Sequence, residues 1–464
     1  MPPNSEAKIA IPNVAVQSRS DRRLMGKKMR DTVPRSKQAT WKPYANRLTV
    51  QDLLIESNKD RLSNLIAIRH GRMKDSPLAF FRGLALSMAK DLANTPNSGI
   101  LLPICGDCHL QNLGWFATPE RNLVFDLTDF DETTTGCWEW DVKRLVTSFV
   151  LAARELGLGH LHQKEVAHQV ARAYRENIGV YEAIEPLQMW YQRIDAKSVL
   201  AHVKLPDSQA RMEKSIAAAR SRTVEALLPK ITRVDLRNPV KRGFADHPPI
   251  LSHQHDSEGF LAETESMIGA YVQTLSDGRS ELFQRYSLSD AAMKVVGVGS
   301  VGLRCGILLF EDPDGAPLVL QIKEARPSIF NALFADVKTS HEGRRVVHGQ
   351  RLVQAASDLF LGWASDSKGR HYYLRQLRDM KLSIDLLHSD SQSLLDYGQL
   401  CGLALARAHA KSGKASYIAG YLGSGDQFDL ALEAFGLAYA DQVERDYEEF
   451  QKLVSSGTIP VEIA

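Results

Sequence analysis

The chain has 464 residues, 44% hydrophobic and 24% charged, an ordinary globular composition with enough apolar side chains for a substantial core and length for two or three folding units. Its formal charge is +2, but the first 50 residues carry 11 basic against 3 acidic side chains and the rest 46 against 52, so nothing in the whole-chain charge argues for nucleic acid or a membrane surface. No apolar run reaches the ~18 residues of a membrane span, no secretory signal core opens the chain, and five cysteines make no disulfide framework, which together predict a cytoplasmic protein.

Residues 1–45 are polar, basic and without sustained periodicity, and read as a mostly disordered tail that docks near Val33-Pro34-Arg35 and Trp41. The part 46–160 begins convincingly at Ser76-Pro77, a cap followed by proline at the first helical position. Leu78, Phe81, Leu84, Ala85, Met88 and Leu92 then recur at helical spacing to about residue 93. Strands are expected at Ile100–Leu102, Leu113–Ala117 and Leu123–Phe130, the last two around the turn residues 118–122. A helix follows from Trp138 to about 155, with Val142, Leu145, Val146, Phe149 and Val150 on one face. Residues 161–285 read as a helical insertion. Residues 286–382 read as a β-rich part with strands at Met293–Val298, Leu303–Phe310, Leu318–Lys323, Leu359–Ala364 and Tyr372–Leu377 and a helix over 328–358. Residues 383–464 are helical, with long helices at Leu395–Lys411 and Phe428–Val454.

Three segments carry chemistry. In Cys105-Gly-Asp-Cys-His-Leu-Gln-Asn112, Asp107 and Asn112 have the Asp-x-x-x-x-Asn spacing of a kinase catalytic loop, with Asp107 suited to a hydroxyl proton and Asn112 to a metal ion. Asp129-Phe130-Asp131 ends a strand where a kinase places its metal-binding Asp, and Asn112 with Asp129 suits magnesium, although Asp126 and Asp131 compete for that role. Gly297-Val-Gly-Ser-Val-Gly302 lies between two expected strands, the strand–loop–strand setting in which a backbone free of Cβ atoms approaches ATP phosphates. Lys323 on the next strand is placed to pair with the α/β-phosphates, and Glu342 is the candidate acid for orienting it, with Gln350 and Glu324 as alternatives. Asp141, early in the helix after the metal loop, is placed to accept backbone N–H bonds from the catalytic loop. Cys105-x-x-Cys108-His109 also fits haem attachment, and the cysteines could suggest zinc, but there is no second ligand pair and no export signal.

The order of these parts is the reverse of a standard kinase, because the catalytic loop precedes the glycine loop. Circular permutation reconciles the two, with the helix around Leu405-Ala-Arg-Ala-His409 standing where the helix before the catalytic loop belongs. Arg69-His-Gly-Arg-Met73, Ser76–Gly83, Cys105–Asn112, Asp129–Thr133, Trp138–Arg144, Val296–Gly302 and Gln321–Ala325 closely resemble the bacterial domain of unknown function 2252 family, over about residues 22 to 455. The resemblance implies an α+β, protein-kinase-like two-lobe fold, circularly permuted, with a helical insertion. The catalytic loop also resembles the His-Gly-Asp-x-His-x-x-x-Asn pattern of aminoglycoside and choline phosphotransferases, with Cys105 in place of their first His. That resemblance implies Asp107 as base with His109 beside it, Asn112 and Asp129 as metal ligands, and Asp141 as the loop brace. The expectation is an ATP- and Mg²⁺-dependent phosphotransferase. Only ten residues separate Asp131 from Asp141, too few for a long activation segment, so the expected acceptor is a small molecule. The alternatives are nucleotidyl (AMP) transfer and a catalytically silent nucleotide-binding scaffold.

Overall fold

The structure is a computed structural model that describes residues 17–202, 206–235, 238–253, 257–333, 339–377, 380–383, 385 and 389–462. The first helices are α1 (Arg19–Thr32), α2 (Val50–Asn58), α3 (Ser63–Met73), α4 (Pro77–Gly83) and α5 (Ala85–Leu92). Next come β1 (Leu101–Ile104), β2 (Leu113–Ala117), β3 (Leu123–Leu127), β4 (Thr134–Cys137), α6 (Trp138–Glu155) and α7 (His160–Tyr181). The middle region holds α8 (Pro186–Tyr191), α9 (Ala196–His202), α10 (Pro206–Arg220), α11 (Val224–Ile231), β5 (Thr232–Asp235), β6 (Asn238–Phe244), β7 (Leu251–Ser252), α12 (Ser257–Val272) and α13 (Asp277–Phe283). They are followed by β8 (Ser287–Lys294), β9 (Cys305–Glu311), β10 (Pro317–Ala325), α14 (Glu342–Val353), β11 (Gly362–Ser365), β12 (His371–Gln376), α15 (Ser391–Ala410), α16 (Ala415–Leu422) and α17 (Gln427–Ser455).

The result is a mixed α+β architecture. An antiparallel six-stranded sheet runs in the order β11-β12-β10-β9-β8-β7. Alternate residues of β9 face opposite ways: Leu308 and Phe310 pack with Tyr271 and Phe283 of α12 and α13, while Ile307 and Leu309 pack with Leu228 of α11. Both faces are covered, so every residue of β9 is buried and the strand reads as a continuous apolar run. α6, α7, α15 and α17 pack together into a helical body whose core includes Val146, Val150, Val170, Leu405 and Phe435. α6 is buried from Trp138 to Ala153, including Glu139, Asp141, Lys143 and Arg144, so its apolar face is only part of a helix enclosed on all sides.

Several expectations change. The segment read as a disordered tail lies outside the described residues as far as residue 16, and from Arg19 it forms α1, which docks on α16. Its basic side chains are consumed there: Arg30 donates to the carbonyls of Gly420 and Tyr421, and Arg35 to that of Leu422, satisfying the open C-terminal end of α16. The single helix expected after Ser76 breaks at Leu84, where the Gly83 carbonyl accepts from the Arg69 guanidinium. The 161–285 region is not a separable helical insertion, because α7 belongs to the helical body and the region also supplies the β5–β6 ribbon and the edge strand β7. Among the described residues of 328–358, the expected α-helix is α14 alone, where His341 caps it by accepting from the Arg344 amide.

Candidate functional site

The loop between β1 and β2 is built on α6. Asp141 accepts from the backbone N–H of Cys105 (2.7 Å) and of Gly106 (2.9 Å). On its other side it meets His409 Nε2 at 3.2 Å, and His409 Nδ1 is 2.8 Å from the Tyr174 hydroxyl. Gly106 has φ +85°, and a Cβ there would stand 2.4 Å from the Glu132 carbonyl, so the turn requires glycine. The loop ends in Asn112, whose side-chain amide donates to the Asp107 carbonyl at 2.9 Å.

Asp107 does not stand alone. One of its carboxylate oxygens receives Arg144, with Nε at 2.6 Å and Nη2 at 2.5 Å. The other lies 3.8 Å from His109 Nε2 and borders a cavity. His109 is buried, and burial together with the Arg82 and Arg144 charges holds its pKa well below the usual imidazole range. The neutral ring accepts the Gln111 amide on Nδ1, so His109 shapes the loop.

Lys323 comes from β10, where it pairs with Cys305 and Tyr373 on the neighbouring strands. Its Nζ is 2.6 Å from Asp131 and 3.9 Å from Asp129. Burial works against its charge, but the two carboxylates outweigh it and hold its pKa well above the ordinary value. Burial likewise pushes Asp131 up, and the Lys323 charge with the Lys323 and Tyr373 hydrogen bonds overcomes this to lower its pKa. The Tyr373 hydroxyl donates to Asp131 at 2.6 Å.

Glu342 is not the partner of Lys323. Its carboxylate binds Arg345 at 2.5 Å, and Arg345 also donates to the carbonyls of Asp131, Thr133 and Arg326. The acid beside Lys323 is Asp131, and Glu342 acts on that loop only through Arg345. Of the other two candidates, Gln350 donates to Gln354 and Glu324 accepts from Arg304. Asp126 is removed from the metal question: it is fully buried and held by Arg407 and by the amides of Leu127 and Ala355.

Two cavities, of ≈ 520 and ≈ 330 Å³, share the residues Asn112, Asp129, Gly297 and Ser300. Both volumes lie in the range of small-molecule sites. The larger runs from Lys323 and Arg375 to Leu377 and Ser383, beneath β10 and β12, and is rich in cationic side chains. The smaller holds Asp107, Arg82, Arg61 and Gly299. The glycine loop lies along the seam. Gly297 (φ +58°) has its carbonyl bound by Arg72, Ser300 Oγ is 3.4 Å from Asp131, and Gly302 accepts from the Leu62 amide away from both cavities.

A bare metal site of three or more His, Cys, Asp or Glu does not occur among the described residues, and the five cysteines are free and buried. Magnesium, which takes one or two carboxylates and completes its shell from substrate phosphates and water, asks for less. Asp129, partly exposed at the seam beside Asn112, meets that need.

A family model described as "Uncharacterized protein conserved in bacteria (DUF2252)" matches residues 61–453. The chain belongs to this family. No curated protein and no solved structure matches it. The matched span of this DUF2252 chain holds every site residue named above, from Arg61 to His409. Among the described residues, no helix is long and apolar enough to cross a membrane.

Sequence reasoning missed the roles of Arg144, Tyr373 and Arg345, which act on loop carboxylates or carbonyls, and of His409, which meets the α6 carboxylate of Asp141. Arg144 stands three residues after Asp141, and no local pattern marks a partner for Asp107 there.

Proposed function

We propose that this protein is an ATP- and Mg²⁺-dependent phosphotransferase acting on a small-molecule acceptor, on a protein-kinase-like two-lobe fold whose chain order is circularly permuted. The observation that carries this reading is the meeting of Lys323, from the sheet, with Asp129 and Asp131, from the loop after β3, at the seam of two cavities. A cation that reaches phosphate oxygens, a carboxylate that can hold magnesium and a second chamber for an acceptor are what phosphoryl transfer requires.

In this reading the nucleotide lies in the larger cavity, with Lys323 against its phosphates and the Gly297–Ser300 backbone beside them. Asn112 and Asp129 would hold magnesium, which when bound supplies charge neutralisation between the phosphates. The acceptor lies in the smaller cavity, and the Asp107 oxygen not taken by Arg144 receives its hydroxyl or amine proton. The acceptor oxygen or nitrogen bonds to the γ-phosphorus, the bond from that phosphorus to the β,γ-bridging oxygen breaks, and ADP leaves. Arg144 fixes Asp107 in orientation, while Asp141 holds the loop.

Calorimetric titration of Mg-ATP into wild type, Lys323→Ala and Asp129→Ala tests the nucleotide site. Saturable binding, weakened by the first substitution and made insensitive to metal by the second, is the expected result, and no binding by folded wild type overturns the proposal. Product analysis with an acceptor separates the chemistry: ADP is expected, whereas AMP attachment or released pyrophosphate means nucleotidyl transfer, and binding without turnover means a scaffold.

A further inference from the structure

Arg82 stands apart from the other arginines around the site. It lies in the last turn of α4 and lines the smaller cavity together with Asp107, His109 and Asn112. Among the described residues it makes no hydrogen bond or ion pair, and its Nε is buried without a partner. The residue as a whole is half-buried, but a buried N–H donor such as this Nε is normally paired, because an unmet one costs its desolvation.

Its neighbours explain why the charge is left over. Of the two carboxylates whose charge acts on it, Glu155 forms no ion pair with it and Asp107 is taken by Arg144, which also stacks 4.1 Å over the Phe81 ring and donates to the Phe81 carbonyl. Glu324 is bound by Arg304, Glu56 by Lys90 and Asp131 by Lys323. On the opposite wall Arg61 donates only to the carbonyls of Ser57 and Val301, and Arg326 approaches only Asp60, at 3.9 Å. Arg69, by contrast, is spent on Asn58, Ser57 and the Gly83 carbonyl, and Arg72 on the Gly297 carbonyl. The smaller cavity, which Asp129 and Glu132 also line, therefore holds three guanidinium groups with no carboxylate hydrogen-bonded to them, one of them with an orphaned donor.

We infer that the smaller cavity takes an acceptor bearing an oxyanion, a carboxylate or phosphate group, that docks on Arg82, with Arg61 and Arg326 lining the same cavity. The inference rests on the phosphotransferase reading for the word acceptor, but the anion site itself stands on the unpaired Arg82 with Arg61 and Arg326 lining the same cavity. A planar guanidinium matches either oxyanion with paired hydrogen bonds. An anion held there would leave the rest of the molecule against the free oxygen of Asp107.

The test uses three probes that share a hydroxylated three-carbon frame: glycerol 3-phosphate, glycerate and glycerol. Binding is measured by calorimetry on the full chain, with and without Mg-ADP. Wild type is expected to bind at least one anionic probe about tenfold or more tighter than glycerol, and the stronger of the two identifies the oxyanion. Arg82→Gln should remove that preference by about tenfold and leave Mg-ATP affinity within about twofold, with Arg82→Lys between them. Because Arg82 holds no intramolecular bond, both variants should keep the wild-type circular dichroism and melting temperature. Equal binding of all three probes by wild type overturns the inference, and so does an unchanged preference in Arg82→Gln. A parallel loss of Mg-ATP affinity in Arg82→Gln also overturns it, because it assigns the arginine to the nucleotide. Failure of wild type to bind Mg-ATP while the anion preference persists would defeat the phosphotransferase reading and leave the anion site standing.

Discussion

Lys323 and Asp131 meet at 2.6 Å although 192 residues separate them, and the Tyr373 hydroxyl closes on the same carboxylate from the neighbouring strand. The pair ties the sheet to the loop after β3. It also puts Asp131 against Lys323, where sequence spacing suggested Glu342; in the proposed reading the orienting role passes to Asp131.

That reassignment separates two substitutions of similar chemistry. Asp131→Asn removes the charge that holds Lys323, and Mg-ATP affinity should fall by about tenfold or more, consistent with the loss of a charge-assisted hydrogen bond. Glu342→Gln leaves Lys323 untouched and should change affinity by less than about threefold. Calorimetry on both variants checks the order, and an Asp131→Asn protein that binds like wild type would disprove the orienting role.

The contrast marks how far the sequence could be read. Elements with strong local signals were legible: α6 runs Trp138–Glu155 and β2 Leu113–Ala117, as their periodicity and alternation require. That Asp141 would accept backbone N–H groups of the Cys105–Asn112 loop was legible too, because a helix-start carboxylate faces the loop packed against it. The partners of Asp107 and Lys323 were not, because ion-pair choice depends on tertiary placement. The basic N-terminal segment misled for a related reason. Its arginines lack an apolar period but bind the carbonyl end of α16, a contact invisible in local composition.

Docking of α1 therefore depends on close backbone approach. A Cβ at Gly420 would stand 2.1 Å from the Arg23 carbonyl, and one at Gly26 would stand 1.9 Å from the Tyr417 carbonyl. Gly420→Val should push α1 off α16, so that the helix carrying the already exposed Arg23, Lys27 and Lys28 can unfold into a protease. Limited trypsin digestion should then cut within α1 much faster than in wild type, with the remainder of the chain resistant. An unchanged cleavage rate would mean that α1 does not need this contact.

The Asp126–Arg407 pair yields a stability prediction distinct from the site. Both side chains are fully buried, at 2.8 Å, and join β3 to α15. Arg407→Ala strands a buried carboxylate and should cost about 3–5 kcal/mol, read as a lower urea midpoint at unchanged slope. The Mg-ATP affinity of the folded variant should stay at the wild-type level, which a metal-binding Asp126 would not permit.

Glu132 gives a pH dependence whose sign can be worked out. Burial pushes its carboxyl up from 4.5 to about 7, against the opposing pull of the Ile329 amide and Arg345. Between those two values the folded chain holds a proton that the unfolded chain has released, so stability falls as pH rises through the window. Glu132→Gln keeps an oxygen to accept the Ile329 amide and removes the titration. The variant should match wild type in its response to pH below about 4.5 and then gain on it, by about 2–3 kcal/mol once pH exceeds 7. Urea denaturation of both proteins at pH 4.5, 6 and 8 measures the difference. A constant offset at all three values would mean that Glu132 titrates alike in the folded and unfolded chains, and that its burial against Asp107 and Asp131 carries no charge penalty.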